Sequence, residues 1–174
     1  VTTVANLRRE KGYDVLLDAA QRVLDRHDDI VFLSVGQGPL DDELRHRHRD
    51  LALGERFRFL GFRDDVVDLL AASDVFCLAS RQEGLPVAFM EAVALGVAPV
   101  VTAVGGLPDA VADGQNGLLV EAERPDLLAE ALDRVIGDPA LRTRLAEGAT
   151  AGAGRFDARA AIGRQEAAYA ELVR

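Results

Sequence analysis

The 174-residue chain has a single cysteine, Cys77, a single lysine, Lys11, against nineteen arginines, and no uncharged stretch able to cross a bilayer. One cysteine excludes an internal disulfide. Cys77 lies in the apolar run Val75-Phe76-Cys77-Leu78, which reads as a buried small hydrophobe in a reducing compartment. The longest charge-free run, Ala92 to Pro108, is interrupted by Gly96, Pro99, Gly105, Gly106 and Pro108 and cannot supply a membrane helix of about twenty apolar residues. Basic side chains are outnumbered 20 to 29, a formal net charge of −9 that argues against a general nucleic-acid or anionic-membrane binder. Any anionic ligand must therefore find a local positive pocket. No Asp-x-Asp, Walker lysine motif or Gly-x-Ser-x-Gly elbow occurs, and His27, His46 and His48 are not spaced as a zinc triad, so no metal site is expected. The chain begins at Val1 rather than Met, without a basic secretory leader, as expected of a piece cut from a longer protein.

What is present is a regular alternation. Short β-branched or apolar runs, Val1–Ala5, Ile30–Val35, Arg56–Leu60, Val75–Ala79, Val97–Thr102 and Gly117–Val120, read as six strands. Between them Gly12–His27, Leu40–Ala52, Asp64–Ala72, Pro86–Leu95 and Leu107–Asp113 show helical spacing. Nearly continuous apolar strands separated by helices predict an α/β fold, a Rossmann-like, doubly wound parallel sheet covered on both faces. Residues 1–121 form the sheet core of one domain. Residues 122–174 form a helical tail, Pro125–Gly137, Pro139–Gly154 and Asp157–Val173, broken at Gly137-Asp138-Pro139 and at Gly152-Ala153-Gly154.

In such a sheet, ligands bind beyond the carboxyl ends of the strands, so the residues following each strand are the informative ones. The first loop, Asn6-Leu7-Arg8-Arg9-Glu10-Lys11-Gly12, places the lone lysine beside a helix start, where an anion is favoured by amides and helix dipole. A solvated basic turn is the competing reading of this segment. Gly36-Gln37-Gly38-Pro39 allows close backbone approach, but it follows the second strand and lacks the third glycine of a dinucleotide fingerprint. Gly61-Phe62-Arg63 offers a joint, a ring and a guanidinium that could hold a base or cap the next helix.

The strongest feature is Ser80-Arg81-Gln82-Glu83-Gly84-Leu85-Pro86-Val87-Ala88-Phe89-Met90-Glu91. Between Glu83 and Asp109 the only formal charge is Glu91, set in a helix otherwise apolar all round, which predicts a buried helix and a carboxylate needing polar partners. Ribose hydroxyls would serve, and an interior arginine is the alternative. Gly84 permits a bend, Pro86 suits a first helical turn, and the amides of Leu85 and Val87 would face a ligand. Val104-Gly105-Gly106-Leu107 adds a further glycine turn on the same edge.

Lys11-Gly12, Gly36-x-Gly38-Pro39, Phe59-Leu60-Gly61, Ala72-Ser73-Asp74, Ser80-x-x-Glu83-Gly84-x-Pro86, Glu91-Ala92-x-Ala94-x-Gly96, Pro99-Val100-Val101, Gly105-Gly106 and Gly114-x-x-Gly117-x-Leu119-Val120 together resemble the C-terminal half of retaining GT-B glycosyltransferases of the group 1, or GT4, family. The resemblance implies a bacterial, cytoplasmic, metal-independent hexosyltransferase that takes a nucleotide-diphosphate-sugar, linked to UDP, GDP or ADP, as substrate and needs no cofactor. The full-length protein would lie in the cytoplasm or at the periphery of the inner membrane. It implies that Glu91 holds the ribose and Glu83 a hydroxyl of the transferred sugar, and that Lys11 with Arg8 or Arg9 holds the diphosphate. Gly36, Gly38, Gly61, Phe62, Arg63, Gly84, Leu85, Pro86, Val87, Gly105 and Gly106 would line the donor site. Ala5-Asn6 stands where many members carry Gly-Arg, and Asp109 where a glutamate is usual. The resemblance further implies an N-terminal acceptor-binding domain or subunit outside this chain, which alone should bind donor without transferring it. The last helix would cross onto that domain, leaving Ala160, Ala161, Ala167, Ala168 and Leu172 uncovered or packed on the core. The alternatives are a non-catalytic nucleotide-sugar-binding or scaffold module, and half of a GT-B epimerase or phosphorylase.

Overall fold

The computed structural model describes residues 1–172, apart from the side chains of Ala158, Ala160, Ala161 and Arg164. Six strands, β1 (Thr2–Val4), β2 (Phe32–Val35), β3 (Phe57–Gly61), β4 (Val75–Leu78), β5 (Ala98–Thr102) and β6 (Leu118–Val120), pair in parallel in the order β3-β2-β1-β4-β5-β6. This is the Rossmann-like, doubly wound sheet that the alternation predicts. All six expected strands form, with ends within one or two residues of those expected and β3 shifted forward to Gly61.

The apolar strands are explained by the two layers that cover them. Helices α1 (Tyr13–Leu24) and α6 (Pro125–Gly137) pack on one face with Leu16, Ala20, Val23, Leu128 and Leu132. Helix α4 (Val87–Ala94) and the short α5 (Leu107–Ala110) cover the other through Phe89, Val93 and Leu107. Alternate residues of β4 serve the two layers, Val75 and Cys77 facing the first and Phe76 and Leu78 the second. The Cys77 thiol is fully buried, and burial pushes its pKa up to about 12, which keeps it protonated and inert. Helices α2 (Asp41–Asp50) and α3 (Val66–Ala71) complete the crossovers.

Three expectations are corrected. Helix α4 is not buried all round: Phe89, Ala92 and Val93 face the core, while Val87, Ala94 and Leu95 are exposed and Glu91 is half-buried. The cost of its carboxylate is correspondingly smaller than full burial would impose. Helix α5 stops at Ala110 instead of Asp113, because the Asn116 carboxamide takes the Ala112 amide (2.7 Å) and the Asp113 carboxylate takes that of Leu119 (2.9 Å). The tail breaks at Gly137-Asp138-Pro139 as expected, with Asp138 extended between α6 and α7, but α7 (Pro139–Gly152), capped by the Asp138 side chain on the Leu141 amide, ends at Gly152 instead of Gly154 and passes into a 3-10 turn at Ala153–Phe156 before the chain turns at Asp157.

Helix α8 (Ala158–Leu172) follows, and Val173, expected to close it, lies outside the described residues. Ala167, Ala168 and Leu172 of the expected apolar stripe are exposed, while the side chains of Ala160 and Ala161 lie outside the described residues. Among the described residues no helix is long and apolar enough to cross a membrane.

Candidate functional site

Strand order reverses between β1 and β4, so the loops that follow them diverge and open a crevice at the carboxyl edge of the sheet. Backbone contact joins the bases of these loops. A Cβ on Gly12, at φ +63°, would lie 2.0 Å from the Ala79 carbonyl oxygen, and the Glu10 carbonyl accepts from the Arg81 amide (2.8 Å). This close approach brings together Lys11 and Glu83, 72 positions apart in sequence.

The Lys11 ammonium donates to both Glu83 oxygens, at 2.7 Å to Oε1 and 2.8 Å to Oε2, and the Ser80 hydroxyl donates to Oε1 at 2.7 Å. The Glu83 side chain is only 6% exposed and that of Lys11 22%. Ser80 is itself fixed, since Thr102 Oγ1 donates to its carbonyl at 2.6 Å. Charge-assisted bonds of this geometry are the stronger class, and the low exposure limits their screening by water.

A crevice of 310 Å³ beside this pair is lined by Lys11, Gly36, Phe62, Arg63, Pro86 and Val87 of the expected site, together with Asn6 and Val66. Phe62 is 74% and Val87 63% exposed, an unusual placement for large apolar side chains unless something covers them. Arg63 is held by Asp65 at 2.7 and 2.5 Å. A larger cavity of 560 Å³ lies at the opposite edge, where Asp74 and Gly96 precede β4 and β5. The smaller crevice is the better candidate, because parallel sheets direct their loops and free amides to the carboxyl edge.

The remaining expected residues are distributed around it. Gly38 does not line the crevice; its Cβ would meet the Leu7 backbone at 2.5 Å, so its smallness serves loop packing. Gly61 precedes Phe62 and accepts from the Gly36 amide (2.8 Å). Gly106 donates to the Gly84 carbonyl at 2.7 Å, so the double glycine supports the Glu83-Gly84 turn from behind. Leu85 is partly exposed, and the amides of Leu85 and Val87 have no acceptor among the described residues. The Glu91 carboxylate likewise has neither hydrogen bond nor ion pair among the described residues, and no interior guanidinium meets it. The Arg8 carbonyl accepts from the Lys11 amide (3.0 Å), but Arg8 does not line this crevice: with Arg9 it opens onto a separate cavity of 220 Å³ beside Tyr13 and Asp14.

Sequence reasoning missed Arg81. Its guanidinium grips Asp14 with two bonds of 2.8 and 2.7 Å, donates to the Arg9 carbonyl (2.9 Å) and reaches Glu123 (2.9 Å), tying the loops after β1, β4 and β6 together. The partners lie 67 positions before and 42 after, beyond the reach of any local pattern. The hydrogen bonds from Arg81 hold the Asp14 carboxyl below its ordinary pKa. A depressed carboxyl adds stability above its unfolded pKa, near 3.9 for aspartate, and loses it as pH falls through the folded value. Arg81→Gln should therefore lower the melting midpoint at pH 7, with the gap to the native chain narrowing below about pH 4. A gap independent of pH in thermal melts would show that Asp14 is not the partner that matters.

The family model described as "Glycosyl transferases group 1" matches residues 1–151. The chain belongs to the group 1 glycosyl transferases. Among this family, the chain is 32% identical over 99% of its length to the D-inositol 3-phosphate glycosyltransferase of Corynebacterium glutamicum, of which it covers 43%. It thus spans about two fifths of the length of the curated relatives it matches. Two solved structures superpose closely. Anabaena Alr3699/HepE in complex with UDP has a TM-score of 0.88 and 27% identity, covering 98% of this chain and 48% of that one. The C-terminal domain of the group 1 family protein LpcC from Francisella tularensis has 0.82 and 25%, covering 88% of this chain and 84% of that domain.

Proposed function

We propose that this chain is the donor-binding, C-terminal half of a retaining, GT4-type GT-B hexosyltransferase, with the crevice between the β1 and β4 loops receiving a nucleotide-diphosphate-sugar. The observation that carries the reading is the Lys11–Glu83 pair at the switch point, a cation and a hydroxyl-binding carboxylate side by side at the crevice. In this reading Lys11 and the unpaired amides of Leu85 and Val87 hold the diphosphate. Glu83 takes a hydroxyl of the sugar, Glu91 the ribose, and the exposed Phe62 ring covers the base. Gly84 supports it from another side. A Cβ there would meet nothing within 4 Å, so packing does not require glycine and closeness to a ligand is the remaining reason for it.

Transfer requires a diphosphate to depart from an oxocarbenium-like carbon, and a fixed ammonium with oriented amides stabilises the charge that develops on it. Lys11 supplies that charge without a metal ion in this reading. The acceptor would come from an N-terminal domain on the scale of the unmatched length of the relatives, meeting the donor on the face from which the diphosphate leaves. The UDP complex of the HepE structure makes UDP the first nucleotide to try.

Thermal melts with UDP, GDP and ADP test the site. A nucleotide at a hundred times its Kd stabilises by about 2.7 kcal/mol, which for a domain of this size raises Tm by roughly 5–10 °C. Glu91→Ala should remove most of that rise. No shift with any of the three would overturn the donor-site reading, and an undiminished shift in the variant would remove Glu91 from the ribose contact. Joined to an acceptor domain, the chain should lose sugar transfer on Glu83→Ala while still binding nucleotide.

A further inference from the structure

We propose that the Lys11–Glu83 pair is a partner-exchange lock that makes the site select the sugar-bearing nucleotide over the free nucleoside diphosphate; this rests on the donor-site reading above. At rest the crevice has no spare positive charge from its own two cations. Lys11 directs two of its three N–H groups to Glu83, at 2.7 and 2.8 Å, and Arg63 is engaged by Asp65. A ligand anion must therefore take the ammonium from a carboxylate that is nearly shielded from water. Glu83 then keeps a single hydrogen bond, from Ser80, and stands unneutralised beside the incoming phosphates.

The two candidate ligands differ in what they offer Glu83 in exchange. A sugar-bearing nucleotide delivers hydroxyl donors to the carboxylate as its diphosphate draws Lys11 away, so both members of the pair end with partners. A free nucleoside diphosphate brings no such donor. Its terminal phosphate also carries nearly a full second charge at neutral pH, since the second pKa of a phosphate monoester is near 6, and meets the bare carboxylate at close range. Departure of the sugar in transfer would thus convert a satisfied site into a repulsive one. Lys11 returns to Glu83 as the product leaves, and the buried Ser80 and Thr102 hold the carboxylate in place for that return. Ser80 is accordingly a positioning residue that acts through Glu83.

The test is calorimetric titration of this chain with UDP and UDP-glucose, GDP and GDP-mannose, and ADP and ADP-glucose. The native chain should bind the sugar form of one pair about tenfold more tightly than its free diphosphate. Glu83→Gln, which keeps the shape and removes the charge, should tighten the free diphosphate about tenfold and bring the ratio near one. Ser80→Ala should move the ratio the other way, because the carboxylate loses its last partner only in the diphosphate complex. A native chain without preference, or a preference that Glu83→Gln and Ser80→Ala both leave unchanged, overturns the lock and leaves the donor site standing. Failure of every pair to bind overturns both.

Discussion

Lys11→Met should weaken nucleoside diphosphate binding by about a hundredfold, the effect of truncating one partner of a poorly solvated charge pair at 2–5 kcal/mol and 1.4 kcal/mol per decade. Two contributions add. The diphosphate loses the one ammonium that lines the crevice, and Glu83 is left as a 6% exposed carboxylate with only Ser80 to hold it, repelling the phosphates that Lys11 would have attracted. Methionine preserves the length and apolar stem of lysine, so packing changes little. Lys11→Met/Glu83→Gln should recover part of the loss, because the stranded charge is gone. Lys11→Arg should recover part of the loss, since the guanidinium keeps the charge and can pair bidentately with carboxylate or phosphate but is bulkier and reaches farther than the ammonium. Calorimetric Kd values for the four chains check this. A loss of less than threefold in Lys11→Met would place the anion elsewhere on the sheet edge.

Gly105→Ala should cost about 3–5 kcal/mol and lower Tm by roughly 10 °C. The residue sits at φ +58°, where a side chain costs about 1–2 kcal/mol by itself. Its Cβ would also lie 1.9 Å from the Glu83 carbonyl oxygen and 2.7 Å from the carbonyl carbon, both backbone atoms that cannot swing aside. The strain therefore falls on the turn that presents Glu83, and nucleotide affinity should decline with stability. Gly84→Ala is the contrasting change: with open space around the added atom, Tm should move by about 1 °C or less while nucleotide affinity falls. Thermal melts and titrations of the two variants separate a glycine the fold requires from one it does not. Equal Tm losses at the two positions would refute the distinction.

Much of this architecture was readable in the residues because its cause is local. A run such as Val75-Phe76-Cys77-Leu78 has no polar face to give to water, so it must be covered on both sides, and helices at every crossover supply that cover. Placement of Gly36, Phe62, Arg63, Pro86 and Val87 around one crevice follows from the same rule, since each closely follows a strand in a parallel sheet. Composition misled at α4. Seven apolar side chains around Glu91 imply burial, but a helix at the rim of the crevice leaves Val87 and Ala94 outside the core.

Sequence by itself determined that the chain builds a doubly wound parallel sheet and that the residues following its strands share one edge, because hydrophobic period and strand-end position are properties of consecutive residues. Only the tertiary structure decided which charges meet. Lys11 faces Glu83 rather than solvent, Arg81 clamps Asp14 and Glu123, Arg8 turns to another cavity, and the Glu91 carboxylate stays without a partner among the described residues. Pairings of that kind arise from the order of strands in the sheet, which brings residues 72 positions apart within 2.7 Å and leaves no trace in local spacing.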